Sequence, residues 1–236
     1  MFGTHLFFDL LAYATAAFTT IWISRRWGAP QPLPQRLRLA YAICLAQGVI
    51  LGSLLLGTLN LYLSGITDVL GKSILGALLG GIVAAEGFKA WHGLRGSTGA
   101  ILVPGLALGI AVGRIGCFTA GLEDQTYGTA TELPWGVDMG DGVLRHPVAL
   151  YETATMGVLA VIALQAIRRG SEGWWRNGFY LFALAYATQR FFWEFLKPYA
   201  ALVGPLNLFH LFCLLLAGYG LYMLKAARQP LADAHG

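Results

Sequence analysis

The sequence predicts an all-α, polytopic membrane protein with seven transmembrane helices, its N-terminus extracytoplasmic and its C-terminus cytoplasmic. Three observations lead there. Only 12% of the 236 residues are charged and 56% are apolar, whereas a soluble domain carries roughly 25% charged residues. Apolar runs of about 20 residues, the length that crosses a hydrocarbon core, recur along the chain. The basic residues between those runs sort to one side, as the bias of cytoplasmic loops requires. The alternating apolar and polar strands of an outer-membrane barrel are absent.

The first span, about 6–24, is LFFDLLAYATAAFTTIWIS. No Lys or Arg precedes it, while Arg25 and Arg26 follow it. A cleaved signal peptide has the opposite charge order, so this run is kept as a membrane helix. A stiff connector, PQPLPQ, leads to the second span at about 38–62. The third and fourth spans, about 73–91 and 100–118, are rich in small residues. Gly76 and Gly80, and then Gly105, Gly109 and Gly113, repeat every fourth residue, a pattern that lets helix backbones approach closely. The fifth span, about 147–167, opens at Pro147, which suits a first helical turn. The sixth and seventh occupy about 177–196 and 206–225.

With these spans, eleven basic residues fall on one side: Arg25, Arg26, Arg36, Arg38, Lys89, Arg95, Arg168, Arg169, Arg176, Lys225 and Arg228. Lys72, Arg145 and Lys197 fall on the other. The long loop at about 119–146 is therefore extracytoplasmic, within a single membrane domain spanning 1–236. Its GVDMGDGV segment has the Gly–Asp chemistry of tight turns. Trp22, Trp27, Trp91, Trp174 and Trp175 lie near span ends, as interfacial anchors do. Cys44, Cys117 and Cys213 have neither disulfide nor zinc spacing. No basic stripe with interleaved aromatics points to nucleic acid, and no nucleotide-binding loop or metal site is visible, so no cofactor is expected.

Charged residues inside spans are functional hypotheses by default. Arg114, in GRIGCF, presents a planar fork of donors suited to phosphate or carboxylate. Gly113 and Gly116 beside it would let a ligand approach the backbone. The alternative is an arginine snorkelling to the interface. Arg190 and Glu194, in YATQRFFWEF, share a helix face with Tyr186. They make either a second anion clamp, with Glu194 orienting the arginine, or a self-neutralising pair. In RHPVALYE, His146 is a general acid or base, or a helix-capping residue. Tyr151 and Glu152 follow one turn later. Cys117 is a nucleophile beside Arg114 or a small packing residue. Asp9, Glu86 and His210 are ligands or satisfied interhelical residues. Two arginines at headgroup depth call for an anionic phospholipid, and transfer of its lipid moiety would need a base in addition to the phosphate clamp.

GRIGCF, HPVALYE and YATQRFFWEF, in that order, resemble the prolipoprotein diacylglyceryl transferase family, whose pattern is GRIGNF-x-NGE, HPSQLYE and Y-x-x-x-R-x-x-x-E. The resemblance runs from about residue 70 to 225. It implies a multi-pass enzyme of the bacterial inner membrane. Such an enzyme moves the diacylglyceryl group of phosphatidylglycerol to the lipobox cysteine of a prolipoprotein and releases glycerol 1-phosphate. By motif, Arg114, Arg190, Tyr186, Tyr151 and Glu152 would bind substrate with Gly113, Gly116, Cys117 and Gly128. His146, Glu194, Glu123 and Asp124 would serve catalysis. The chain departs from the pattern at Leu75, where the family has a histidine, at Cys117 for asparagine, and at Leu122 for glutamate, with Glu123 one residue later. Phe8 is the nearest match to a span-one tyrosine. These departures leave the acceptor open: a lipobox cysteine, a small molecule, a second lipid or water. A lipid or anion transporter and a non-catalytic lipid-binding paralogue are the alternatives.

Overall fold

A computed structural model of the protein describes residues 2–28, 33–67, 69–124 and 126–227. The side chains of residues 2–5 and of Asp124 lie outside that description, as does Arg228. Seven long helices dominate: α1 (Phe2–Trp27), α2 (Gln35–Leu63), α3 (Ile74–Trp91), α4 (Val103–Ala120), α5 (Val148–Arg168), α6 (Glu172–Glu194) and α7 (Leu208–Ala226). Each predicted span corresponds to one of them. Two small antiparallel hairpins were not foreseen. β1 (Val137–Asp138) pairs with β2 (Leu144–Arg145), and β3 (Ala201–Val203) with β4 (Leu206–Asn207).

Six of the seven helices are long and apolar enough to cross a membrane; α6 is the exception. Its face carries Glu172, Arg176, Arg190 and Glu194, which lowers its hydropathy. Elsewhere the usual distribution is inverted. Large apolar side chains such as Phe18, Leu55, Val158 and Leu215 are exposed, while Arg114, Glu152, Arg190 and Glu194 are buried. A soluble monomer rarely leaves contiguous apolar surface of this kind uncovered. This is a multi-pass membrane protein.

The chain divides into two compact units. One holds α1, α4, α5, α6 and the second half of α7. Here α1 packs on α4 through the glycine stripe: a Cβ on Gly105 would overlap the Ala16 carbonyl and the Thr20 hydroxyl, and one on Gly109 would lie 3.0 Å from Ala16 Cβ. Thr153 Oγ1 of α5 donates to the Ala111 carbonyl of α4 at 3.2 Å. Pro104 occupies the first turn of α4, where its missing N–H costs nothing. The start of α6 is capped by Ser171, whose hydroxyl accepts from the Trp174 amide. Trp174, expected at the interface, is buried instead, its indole lying over Gly178.

The other unit holds α2, α3, the β3–β4 hairpin and the first half of α7. Gly76 and Gly80 of α3 meet Gly52 and Gly48 of α2 so closely that a Cβ on either would strike main chain. The small residues of both helix pairs thus do the packing the sequence predicts. Glu86 pairs with Lys89 at 2.8 Å, and Lys89 also donates to the Gly96 carbonyl. His210 Nδ1 accepts from the Asn207 amide at the start of α7.

Candidate functional site

The site lies within the first unit. Arg114 comes from the C-terminal half of α4, Glu152 from the first turns of α5, and Arg190 and Glu194 from the last turns of α6. Glu152 is the hub. Its Oε2 lies 2.6 Å from Arg114 Nε and its Oε1 lies 2.5 Å from Arg190 Nη1. Arg190 Nη2 reaches Glu194 Oε2 at 2.8 Å, one helical turn further along α6. A third cation, Lys197 Nζ, contacts Glu152 Oε1 at 3.2 Å from the turn beyond α6. All five residues are buried, the two carboxylates to 1% exposure. Tyr186, one turn before Arg190, is buried as well.

Burying these charges would cost several kcal/mol per ion if they were unpaired. Pairing offsets much of that penalty, but not evenly. Among the described residues three cations face two carboxylates, so the cluster carries an excess of one positive charge. Arg114 does not snorkel to the interface; its guanidinium is held inside the helix packing. Glu194 orients Arg190 as the four-residue spacing predicts. The carboxylate that joins the two arginines, however, is Glu152. The Cys117 thiol lies 3.8 Å from Arg114 Nη1.

His146 and Tyr151 form a second group at the start of α5. Trp135 Nε1 donates to Tyr151 Oη at 2.7 Å, and the Tyr151 ring lies against Trp193, with centroids 5.1 Å apart. His146 Nδ1 is 3.5 Å from Tyr151 Oη, and no side chain caps the helix there. Gly128 is packed under His146: a Cβ at Gly128 would overlap the His146 carbonyl. The backbone around it is pinned on both sides, the Thr129 amide donating to the Leu196 carbonyl at 2.7 Å and the His146 amide to the Thr129 carbonyl at 3.0 Å. In the loop, Asp138 Oδ1 accepts from the amides of Gly140, Asp141 and Gly142, the tight turn expected of GVDMGDGV. Arg145 donates to Asp141 at 2.6 Å and holds that carboxyl below the usual carboxylate range.

Other predicted site residues are placed differently. Gly113 and Gly116 face α1, with Ala12 Cβ 3.8 Å from a Cβ built at Gly113 and Phe8 Cβ 2.5 Å from one at Gly116. Gly116 is the tighter of the two, and the contact at Gly113 is an ordinary van der Waals one. Glu123 is exposed on a short 3-10 turn, Gly121–Asp124, and the Asp124 side chain lies outside the described residues. Leu75 is buried in the second unit. Sequence reasoning missed Lys197, Trp135 and Trp193. For Lys197 a signal existed: positions 186, 190, 194 and 197 continue one helical face past the end of the span. Among the described residues no three His, Cys, Asp or Glu side chains converge as a metal ion requires.

Fold and site together define a multi-pass helical membrane protein with a buried, net-cationic centre suited to an anion. Over residues 10–226 the sequence matches prolipoprotein diacylglyceryl transferase, and the chain belongs to that family. Three relatives are each named phosphatidylglycerol–prolipoprotein diacylglyceryl transferase. The Gloeobacter violaceus protein is 35% identical over 67% of this chain and 64% of its own length. The Wolinella succinogenes protein is 35% identical over 58% and 48%, respectively. The Thermosynechococcus vestitus protein is 27% identical over 94% and 90%. The chain thus spans between about half and just under two thirds of the first two relatives, and nearly all of the third.

Proposed function

We propose that this protein transfers the diacylglyceryl group of phosphatidylglycerol to a prolipoprotein cysteine at the outer face of a bacterial inner membrane. The observation that carries the reading is the joining of Arg114 and Arg190 through Glu152 in a buried cluster with one surplus positive charge. The membership of the family and the names of its relatives support the same donor and acceptor.

In this mechanism the cysteine sulfur attacks the glyceryl carbon that bears the phosphate. A carbon–sulfur bond forms as the carbon–oxygen bond breaks, and glycerol 1-phosphate departs with the bonding electron pair. The phosphate gains one negative charge in that step, and the arginine pair is placed to stabilise it. The thiol proton passes to a base, for which His146 is the best-placed of the predicted residues. It stands beside Tyr151 at the start of α5, whereas Glu123 is exposed on its short turn. Glu152 and Glu194 orient the arginines. Tyr186, Tyr151, Cys117 and Gly128 shape the surroundings.

The topology belongs to the same proposal. α6 crosses the membrane as the sixth of seven spans, its charges hidden in the cluster. The N-terminus and the loop at 119–146 are then extracytoplasmic and the C-terminus cytoplasmic, in a single membrane domain. A second reading keeps the lipid donor and changes the acceptor. It rests on Leu75 and Cys117, which replace polar residues of the family pattern.

Mass spectrometry of phosphatidylglycerol incubated with the purified protein, with and without a lipobox peptide, tests both. A diacylglyceryl adduct on the peptide, with glycerol phosphate released only in its presence, supports the first reading. Lipid consumed without an adduct supports the second. No turnover refutes both.

A further inference from the structure

Lys197 stands apart from the other cations outside the predicted spans. Arg145 is held by Asp141 in the loop, whereas Lys197 is drawn inward, its side chain at 0% exposure and its Nζ on the same oxygen of Glu152 that Arg190 contacts. Its ammonium joins the cluster at the Glu152 carboxylate, so its action on a bound anion passes through that residue and through the net charge. Its effect on the charge count is nonetheless decisive. Two arginines against Glu152 and Glu194 sum to zero; with Lys197 the sum is one positive charge. Among side chains buried this far, a unit charge a few ångströms away changes anion affinity strongly.

We propose that Lys197 is a positioning residue for the phosphate site, its ammonium holding Glu152 and supplying the surplus positive charge with which Arg114 and Arg190 take an anionic lipid phosphate. This rests on reading the cluster as a phospholipid site. Lys197 competes with Arg190 for Glu152 Oε1, and so weakens the carboxylate's hold on the guanidinium that must turn to the phosphate. The charged groups facing it are Arg114 from α4, Glu152 from α5, and Arg190 and Glu194 from α6.

Burial, reinforced by the positive charge of Arg190, pushes the Lys197 ammonium down to about 8. The sign follows directly. Below that pH the lysine is charged and the surplus is present; above it the lysine is neutral and the surplus is gone. Phosphatidylglycerol keeps its charge throughout, so affinity should fall on the alkaline side. An arginine at this position stays charged across the whole range.

The experiment uses the purified full chain and measures phosphatidylglycerol binding in mixed micelles from pH 6.5 to 9.5, with turnover on a lipobox peptide. Wild type should lose affinity about tenfold across that range. Lys197→Met should raise KM for the lipid about tenfold at pH 7, with a smaller change in kcat and no alkaline fall. Lys197→Arg should restore affinity at pH 7 and hold it at pH 9.5. A merely structural lysine would change melting temperature without moving the pH profile. Wild-type affinity and profile in folded Lys197→Met overturns the proposal. So does an unchanged alkaline fall in Lys197→Arg, which decides the matter if the methionine variant does not fold. Wild type that fails to bind phosphatidylglycerol at any pH overturns both this inference and the proposed function; a wild type that binds, with a Lys197→Met variant binding equally well, overturns this one alone.

Discussion

Replacing Glu152 by glutamine removes one charge, keeps the shape, and leaves Arg114, Arg190 and Lys197 facing one another with Glu194 as the remaining carboxylate among the described residues of the cluster. In the native protein the three cations lie 2.6, 2.5 and 3.2 Å from the two Glu152 oxygens. Removing one partner of a buried pair costs about 3–5 kcal/mol, because the other charge stays buried without compensation. Here the cluster excess doubles from one positive charge to two, so the upper part of that range applies. For a chain of this length each kcal/mol moves the melting temperature by roughly 2–4 °C. Glu152→Gln should therefore melt about 10 °C or more below wild type in the same detergent. An anionic lipid should recover part of that loss by supplying the missing negative charge, and a zwitterionic lipid should not. Two readouts are needed, thermal unfolding by intrinsic fluorescence and the same melt with phosphatidylglycerol or phosphatidylcholine added. A melting temperature within about 2 °C of wild type, or equal protection by both lipids, would refute the reasoning that Glu152 balances an anion site.

Three further expectations concern neighbouring residues. Arg114→Lys and Arg190→Lys keep the charge but lose the fork of donors, so each should lower turnover of phosphatidylglycerol at least about 100-fold with the protein still inserted. Retained turnover in both removes the phosphate clamp. Cys117→Ser should keep turnover within about threefold, because the thiol's contact with Arg114 is long and a hydroxyl can replace it; near-complete loss would mean that the sulfur takes part covalently. Gly128→Ala puts a Cβ into the His146 carbonyl. Overpacking there should cost about 1–3 kcal/mol in the melt and lower activity by displacing His146.

How far the molecule could be read in advance depended on whether a feature is local. A 20-residue apolar run declares a helix without reference to the rest of the chain, so six of the seven were legible outright, down to the glycine stripes on α3 and α4, and α6 was legible from a less apolar run. The Arg190–Glu194 pair was legible too, since four residues along one helix is a local spacing. Glu152 as the joint between two arginines was not. Its contacts with Arg190 and Lys197 cross 38 and 45 residues of chain, and only the packing of α4, α5 and α6 brings them together. Lys197 was read only as an outer-loop cation because it lies beyond the span at 177–196; its inward contact is with a carboxylate of another helix, Glu152. The hairpins have strands of two or three residues, too short to carry a period. The contact of Gly116 with Phe8 was hidden for a similar reason: a bare helix face says that something comes close, and not whether it is ligand or helix.

The three-helix origin of the cluster bears on how the chain is made. Charges within spans oppose partition into lipid by a few kcal/mol each. When α4 emerges from the ribosome its arginine has no counter-ion, because Glu152 has yet to be synthesised. α5 then delivers the carboxylate, and Arg114 and Glu152 offset one another across the α4–α5 pair. α6 follows with a cation and an anion one turn apart, so it arrives partly self-compensated despite being the least apolar of the seven. The order of charges along the chain is thus an order of pairing, in which the carboxylate of α5 answers the arginine of α4 and α6 adds a pair of its own.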